Sequence, residues 1–202
     1  MSKGTLFIVS AASGTGKTSL TRALIKQLPH LKLSISHTTR NLRAQETPDQ
    51  HYFYVSDAEF KQLIAADAFL EYAEVFGHYY GTSRKAIEEN LEQGIDMLLD
   101  IDWQGALQIK EKIPCTTIFL LPPSKVELRD RLEKRKRETA EQIASRLALA
   151  STEIAHFKEF DYTVVNDNFE ETLSQLKAII TAQRLVTARQ RENLAPLLAE
   201  LL

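Results

Sequence analysis

The sequence predicts an α/β fold of three layers, a parallel core sheet with helices on both faces, and three observations carry that prediction. Apolar runs of strand length, Leu6-Phe7-Ile8-Val9, Ile95 to Ile101 and Thr116 to Leu121, alternate with segments of helical period. Strands buried on both faces of a parallel sheet read as such continuous runs. The first of them leads directly into Ala11-Ala12-Ser13-Gly14-Thr15-Gly16-Lys17-Thr18, a glycine-bearing stretch that opens a helix. With 202 residues, 44% of them hydrophobic and 26% charged, the chain can bury one sizeable core.

In chain order, the first strand and loop precede a helix over Ser19 to Leu28, and a turn at Pro29-His30 leads to Leu31-Lys32-Leu33-Ser34-Ile35-Ser36, whose alternation marks a strand with one buried face. Residues 41 to 50 are polar and loop-like. A strand at His51 to Val55, a helix capped by Ser56 or Asp57, and a run from Phe69 to Phe76 ending in Gly77-His78-Tyr79-Tyr80-Gly81 make a small mixed α/β insert. A helix from Ser83 to about Gln93, stopped by Gly94, returns the chain to the core: strand 95 to 101, helix Trp103 to Lys112, strand 116 to 121, helix Ser124 to Lys134. Residues 138 to 160 read as helical, Tyr162 to Val165 as a last strand, and Phe169 to about Arg191 as one long amphipathic helix. Leu194, Leu197, Leu198, Leu201 and Leu202 then fall on one helical stripe, which either covers the core or joins subunits of a homo-oligomer.

Composition narrows the partners. A net charge of −2 gives no global attraction to nucleic acid or to an anionic membrane, so the expected partner is a small anion held by local Lys and Arg. The single cysteine, Cys115, excludes an intrachain disulfide and reads as a packing residue of a strand. The N-terminal residues lack a signal-peptide pattern and no apolar run approaches membrane-spanning length, so the expected location is cytoplasmic.

Residues 11 to 18 have the pattern of a phosphate-binding loop, which makes the expected fold P-loop NTPase-like. Gly14 and Gly16 let backbone N–H groups turn toward polyphosphate oxygens at the positive end of the following helix. Lys17 reaches the outer phosphates, and the Thr18 hydroxyl can hold Mg²⁺. The pattern asks for glycine at the first position, where this chain has Ala11, a substitution tolerable if φ there stays negative. Asp100, ending its apolar run, stands where such proteins place an acid near Mg²⁺, directly or through water. A second cluster, Ser36-His37-Thr38-Thr39-Arg40-Asn41-Leu42-Arg43, follows the second strand, on the edge where open α/β sheets bind ligands. Arg40 and Arg43 can clamp one phosphate with hydroxyls from Tyr52 and Tyr80; taken alone, the same residues fit a solvated loop equally well.

Together these residues resemble guanylate kinase, the nucleoside monophosphate kinase family that moves a phosphoryl group from ATP to GMP. The resemblance runs through Gly4 to Ser10, the block at 36 to 43, His51-Tyr52-Phe53, Phe69-Leu70-Glu71, Gly77 to Thr82, Asp100-Ile101-Asp102-Trp103-Gln104-Gly105, Leu121 to Ser124 and Val165-Asn166-Asp167, nearly the whole chain in the family's order. It implies a core of about 1–35, 94–130 and 148–202, a GMP-binding insert of about 36–93 and a helical lid of about 131–147. It implies further that Ser36, Glu71, Thr82 and Asp102 hold the guanine, with Asp100 beside them, and that Arg40, Arg43, Tyr52 and Tyr80 hold the GMP phosphate. Chemistry agrees: guanine presents an N1–H and an amino group side by side, which Glu71 and Asp102 can accept, while a hydroxyl of Ser36 or Thr82 can donate to O6.

On the same resemblance ATP lies along residues 11 to 18 with Ser19 and Asn166, and the catalytic cations are Lys17, Arg40, Arg131, Arg135 and Arg146, the last three from the lid. The family commonly flanks its middle lid arginine with glycines; this chain has Lys134 and Lys136, which stiffen the hinge, and the segment also fits a charged helix face or a basic patch. Trp103 reads as a packing aromatic without a chemical role. Two other readings stay open here, a non-catalytic guanylate-kinase-like binding module and a kinase for another nucleoside monophosphate such as AMP or dTMP. An intact Gly14, Gly16, Lys17 and Thr18 weigh against the first, and the Glu71 and Asp102 pair against the second.

Overall fold

The structure is a computed structural model that describes residues 2–43, 46–75, 77–134 and 139–202. Five parallel strands form the core sheet in the order β2-β7-β1-β8-β9: β1 (Leu6–Ala11), β2 (Leu31–Leu33), β7 (Asp96–Asp100), β8 (Thr116–Leu121) and β9 (Tyr162–Val165). Alternation along β1 divides the two faces. Phe7 and Val9 pack with Leu20 and Leu24 of α1 (Lys17–Gln27) and Leu173, Leu176 and Ile180 of α7 (Phe169–Arg184). Leu6 and Ile8 pack on the opposite face with Ile87 and Leu91 of α3 (Arg84–Glu92) and Ala106 and Ile109 of α4 (Trp103–Lys110). These two clusters are the three-layer arrangement that the apolar runs predict. Cys115 packs partly buried beside the second cluster, and burial pushes its thiol up to about 11, which keeps it protonated at neutral pH.

A second, mixed sheet has the order β4-β3-β6-β5, from β3 (His37–Thr38), β4 (Phe53–Tyr54), β5 (Phe69–Val75) and β6 (His78–Ser83). The strand expected over 31 to 36 is therefore shorter. Ser34 N still donates to Leu98 O of β7 at 2.9 Å, but Ser36 O already accepts from Phe53 N at 3.0 Å, so the chain changes sheets within three residues. β6 lies where the sequence suggested the end of a run. Two glycines hid a hairpin: Gly77 turns ahead of the strand with φ 76°, and Gly81 sits inside it because a Cβ there would come 2.9 Å from the Phe60 ring. The helix α2 (Asp57–Ala65) is capped by Ser56, whose hydroxyl accepts from Glu59 N while Glu59 accepts from Ser56 N. Its Phe60 stacks on Phe69 and Tyr79 and is the centre of this insert's small core.

After α5 (Lys125–Glu133), the segment expected to be helical to 160 is α6 (Ala140–Ile154) followed by a 3₁₀ turn at Ala155–Glu159. The single long helix expected from Phe169 is two helices, because Val186 is extended (φ −58°, ψ 129°) between α7 and α8 (Thr187–Leu201). A buried carboxylate explains the break. Asp96, 0% exposed at the foot of β7, accepts from Arg184 Nε and Arg189 Nη2, each at 2.7 Å, and from Thr5 N at 2.7 Å. A continuous helix would carry the two arginines to different faces; the bend lets both converge on one acid. Among the described residues no helix is long and apolar enough to cross a membrane.

This cluster gives a stability prediction. Asp96→Ala leaves two partly buried guanidiniums without their anion and should lower unfolding stability by about 3 kcal/mol in urea titrations, whereas Arg189→Ala, which leaves Arg184 and Thr5 N in place, should lower it by about 1 kcal/mol. Equal, small losses in both variants would show that the bend is held by packing instead.

Candidate functional site

β1 ends at Ala11, paired with Leu120 of β8, and the chain turns through the loop that begins α1. Positive φ is confined here to Gly14 (93°) and Gly16 (102°), so the alanine at the first position costs the loop nothing in backbone strain. Gly16 is required for a second reason: a Cβ would stand 2.6 Å from Asn166 Nδ2, which donates to Thr15 O at 2.6 Å. Asn166 is thus a buried prop beneath the loop, reached from the end of β9.

Lys17 is paired with Asp100 at the tip of β7 and donates also to Ile101 O at 3.2 Å. Thr18 Oγ1 donates to Asp100 Oδ2 at 3.0 Å, and Thr21, which sequence reasoning missed, approaches the same oxygen at 3.4 Å. Ser19 is exposed on the next position of the helix. Of the expected lid arginines, Arg131 reaches down from α5: its Nη1 donates to Thr15 O (3.2 Å) and Asn166 O (3.0 Å), while its Nε donates to Glu127 Oε1 (2.8 Å). Arg146, from α6, donates to Ser13 Oγ at 3.0 Å. Arg135, Lys136 and Arg137 lie outside the described residues.

The arginine block forms a separate cluster. Arg40, 9% exposed, donates through Nη2 to both carboxylate oxygens of Glu46 at 2.8 and 3.0 Å and through Nη1 to Asn41 O at 2.8 Å. Glu46 also accepts from Tyr54 OH at 2.8 Å and Arg43 N at 3.0 Å; burial opposes its charge, but the Arg40 guanidinium, with the Arg43 amide and Tyr54 after it, holds its carboxyl at about 2. The Arg40 guanidinium lies 5.4 Å from the centroid of the Tyr52 ring, which packs against Tyr80 at 5.9 Å, so Arg40, Tyr52 and Tyr80 form one cluster; the Arg43 side chain is exposed beside it. No sequence pattern singled out Glu46, one acid in a polar loop.

A third cluster is built on a buried carboxylate. Glu71, 4% exposed on β5, accepts from Thr82 Oγ1 of β6 at 2.5 Å. Burial pushes Glu71 up to about 7, the nearby Asp102 charge adds to the rise, and the Thr82 hydrogen bond and Lys112 oppose it. Asp102 begins α4 as its cap, accepting from Gly105 N at 2.8 Å, and Gly105 is glycine because a Cβ would stand 2.8 Å from Glu71 Oε2. Thr82, expected with Ser36 as a donor to a base oxygen, donates here to Glu71, and Ser36 is partly buried just before β3. Trp103 packs on the sheet as expected, and it also stacks on His156 at 3.5 Å between centroids, a contact the sequence did not suggest.

Comparison with known proteins agrees with this geometry. Residues 3–183 match the family model described as guanylate kinase. Guanylate kinases of Escherichia coli O157:H7 and of Escherichia coli strain K12 are each 53% identical to this chain over 205 aligned residues, covering 100% of the chain and 99% of the relative. A solved guanylate kinase from Anaplasma phagocytophilum superposes with a TM-score of 0.79 at 34% identity, covering 96% of this chain and 94% of that one.

The ionisation of Glu71 is directly measurable. Its side-chain carboxyl should titrate near 7 in a ¹³C-detected NMR experiment, and Thr82→Val, by removing the hydrogen bond that favours the charged form, should move the midpoint higher. A midpoint near 4.5 would mean that water reaches this carboxylate.

Proposed function

The chain belongs to the guanylate kinase family, and from that premise we propose how its own residues carry out the ATP-dependent phosphorylation of GMP to GDP, with dGMP as a second acceptor. The observation that carries the reading is the buried Glu71 carboxylate with Asp102 beside it, two residues beyond the Asp100 that pairs with Lys17 of the phosphate loop. An uncharged cavity there would suit many bases. A carboxylate suits the paired N1–H and amino donors of guanine, and adenine would leave it facing an unprotonated nitrogen.

In this reading Glu71 and Asp102 accept from the guanine edge, Ser36 donates to O6, and Arg40, Arg43, Tyr52 and Tyr80 bind the GMP phosphate, with Glu46 fixing the Arg40 fork before GMP arrives. ATP lies along residues 11 to 19, and Asn166 supports that loop from below. Thr18 Oγ1 and Asp100 Oδ2, 3.0 Å apart, are a hydroxyl and a carboxylate oxygen, a donor pair of the hard type that Mg²⁺ takes. Bound there, Mg²⁺ would neutralise charge on the ATP phosphates. The transferred phosphoryl group leaves the β–γ bridging oxygen of ATP, which keeps the bond's electron pair in ADP, and bonds to an oxygen of the GMP phosphate that is already ionised. No general base is needed, so the task of Lys17, Arg131 and Arg146 is to position and to stabilise charge on the equatorial oxygens. Arg135 is assigned with them on the resemblance alone.

The same reading divides the chain into a core of about 1–35, 94–130 and 148–202, a GMP-binding insert of about 36–93 and a lid of about 131–147, working in the cytoplasm. We also assign the exposed leucines of α8, Leu194, Leu197, Leu198 and Leu201, to a contact between subunits. Deleting residues 192–202 should then lower the mass measured by light scattering; an unchanged mass would return the stripe to a monomer.

Two assays test the enzyme. ADP production with ATP and Mg²⁺ should proceed with GMP, fall by roughly 10⁴-fold or more with AMP, and vanish in Lys17→Ala; a folded protein that binds GMP without turnover would favour the binding-module reading. The acceptor's affinity should also depend on pH. Guanine donates to ionised Glu71, whose pKa of about 7 lies above the ordinary value of 4.5, so binding is complete above 7 and weakens by roughly tenfold per pH unit below it. Guanosine, which lacks the titrating phosphate, isolates this effect, and Glu71→Gln should bind it more weakly and without the slope.

A further inference from the structure

α6 meets Ser13 of the phosphate loop with two opposite charges. Arg146 and Glu153 are seven residues apart, close to two helical turns, and so share a face of the helix. Arg146 Nη1 donates to Ser13 Oγ at 3.0 Å, and Ser13 N donates to Glu153 Oε2 at 3.3 Å. Neither contact is needed to attach the helix. Ala150 of α6 is buried with Ala12, Leu128 and Leu132, and Ile143, Leu147 and Ile154 pack against the same cluster. Glu153 is partly buried, with Lys17, Arg146 and Asp102 the charges around it. Burial raises its pKa while the two cations oppose the rise, so the carboxylate is held at the loop at a desolvation cost that a packing residue would not incur.

We propose that Glu153 is a positioning residue for phosphoryl transfer, fixing the Ser13 end of the phosphate loop to the helix that carries Arg146 so that loop and arginine meet the triphosphate as one unit. The inference rests on the kinase reading above. Ser13 is the joint: its side chain reads the arginine and its backbone reads the acid, so an axial slip of α6 would break both bonds together. Such a slip moves a transition-state cation away from the transferring group while leaving the guanine pocket and the Lys17 pair untouched.

The test compares Glu153→Ala, Glu153→Gln and the unaltered protein in steady-state kinetics and thermal melts. Glu153→Ala should lower kcat by about tenfold or more, with KM for ATP and GMP within about twofold and the melting temperature retained. Glu153→Gln, whose amide oxygen can still accept from Ser13 N, should recover part of that loss. A kcat within about twofold of the unaltered protein would overturn the proposal. So would losses of kcat, both KM values and melting temperature that move together without rescue, since those are the marks of a residue that only supports the fold. If the unaltered protein itself forms no GDP, the kinase reading fails first and this inference with it.

Discussion

The parallel pairing of β1 with β7 sets Val9 opposite Asp100, and the rest of the site follows from that register. It brings the acid at the tip of one strand under the lysine that follows the tip of its neighbour, across the edge where the phosphate loop turns. β8 on the other side of β1 and β9 beyond it deliver Asn166 to the underside of the same loop. The loop is therefore held from two strand ends at once, and the positive φ at Gly14 and Gly16 is maintained by contacts on either side. A central strand with neighbours from distant parts of the chain is what lets an open parallel sheet concentrate chemistry at its carboxyl edge.

Four cations of the site are already engaged with protein oxygen. Lys17 has Asp100, Arg40 has Glu46, Arg131 has Glu127 and two backbone carbonyls, and Arg146 has Ser13. A long basic side chain left in water keeps its rotamer freedom and must lose it on binding, whereas one fixed in advance has lost it on folding. The pair of Arg40 and Glu46, one guanidinium nitrogen on both carboxylate oxygens, goes furthest in this direction, because Glu46 is itself held by Tyr54 and the Arg43 amide. Its carboxylate also withdraws charge from the acceptor site. The arrangement therefore favours geometry over raw electrostatic pull, which is what transfer between two polyanions needs if products are to leave.

The sequence makes the core sheet legible and the insert much less so. β8 and β9 have the bounds that the apolar runs predict, and β1 and β7 differ by a residue or two, since strands buried on both faces carry an uninterrupted signal. β3 and β4 are two residues long, too short for any periodicity, and β6 contains a glycine that exists to make room for Phe60. The bend between α7 and α8 was hidden because its cause, Asp96, lies far off in sequence. The same distance rule governs the site. The glycine loop, its lysine and the arginine block are local patterns and could be read; Glu46, Glu153 and the stack of Trp103 on His156 are single residues whose partners only folding supplies.

Asp102 ties the two halves of the site together. It caps α4, and that cap fixes where the helix begins, hence where Gly105 passes Glu71 with no room for a side chain. The carboxylate on the acceptor side and the one on α6 both lie in the field of Asp102, which raises the pKa of each. Guanine donors seated on Asp102 would offset part of that negative field at both acids, because an N–H dipole aimed at a carboxylate stabilises its charged form. The base pocket and the phosphate loop thus share an electrostatic environment through one residue whose local role is to start a helix. A substitution at 102 would for that reason alter the helix start, Glu71 and Glu153 together, and its effect on any one of them cannot be assigned without the other two.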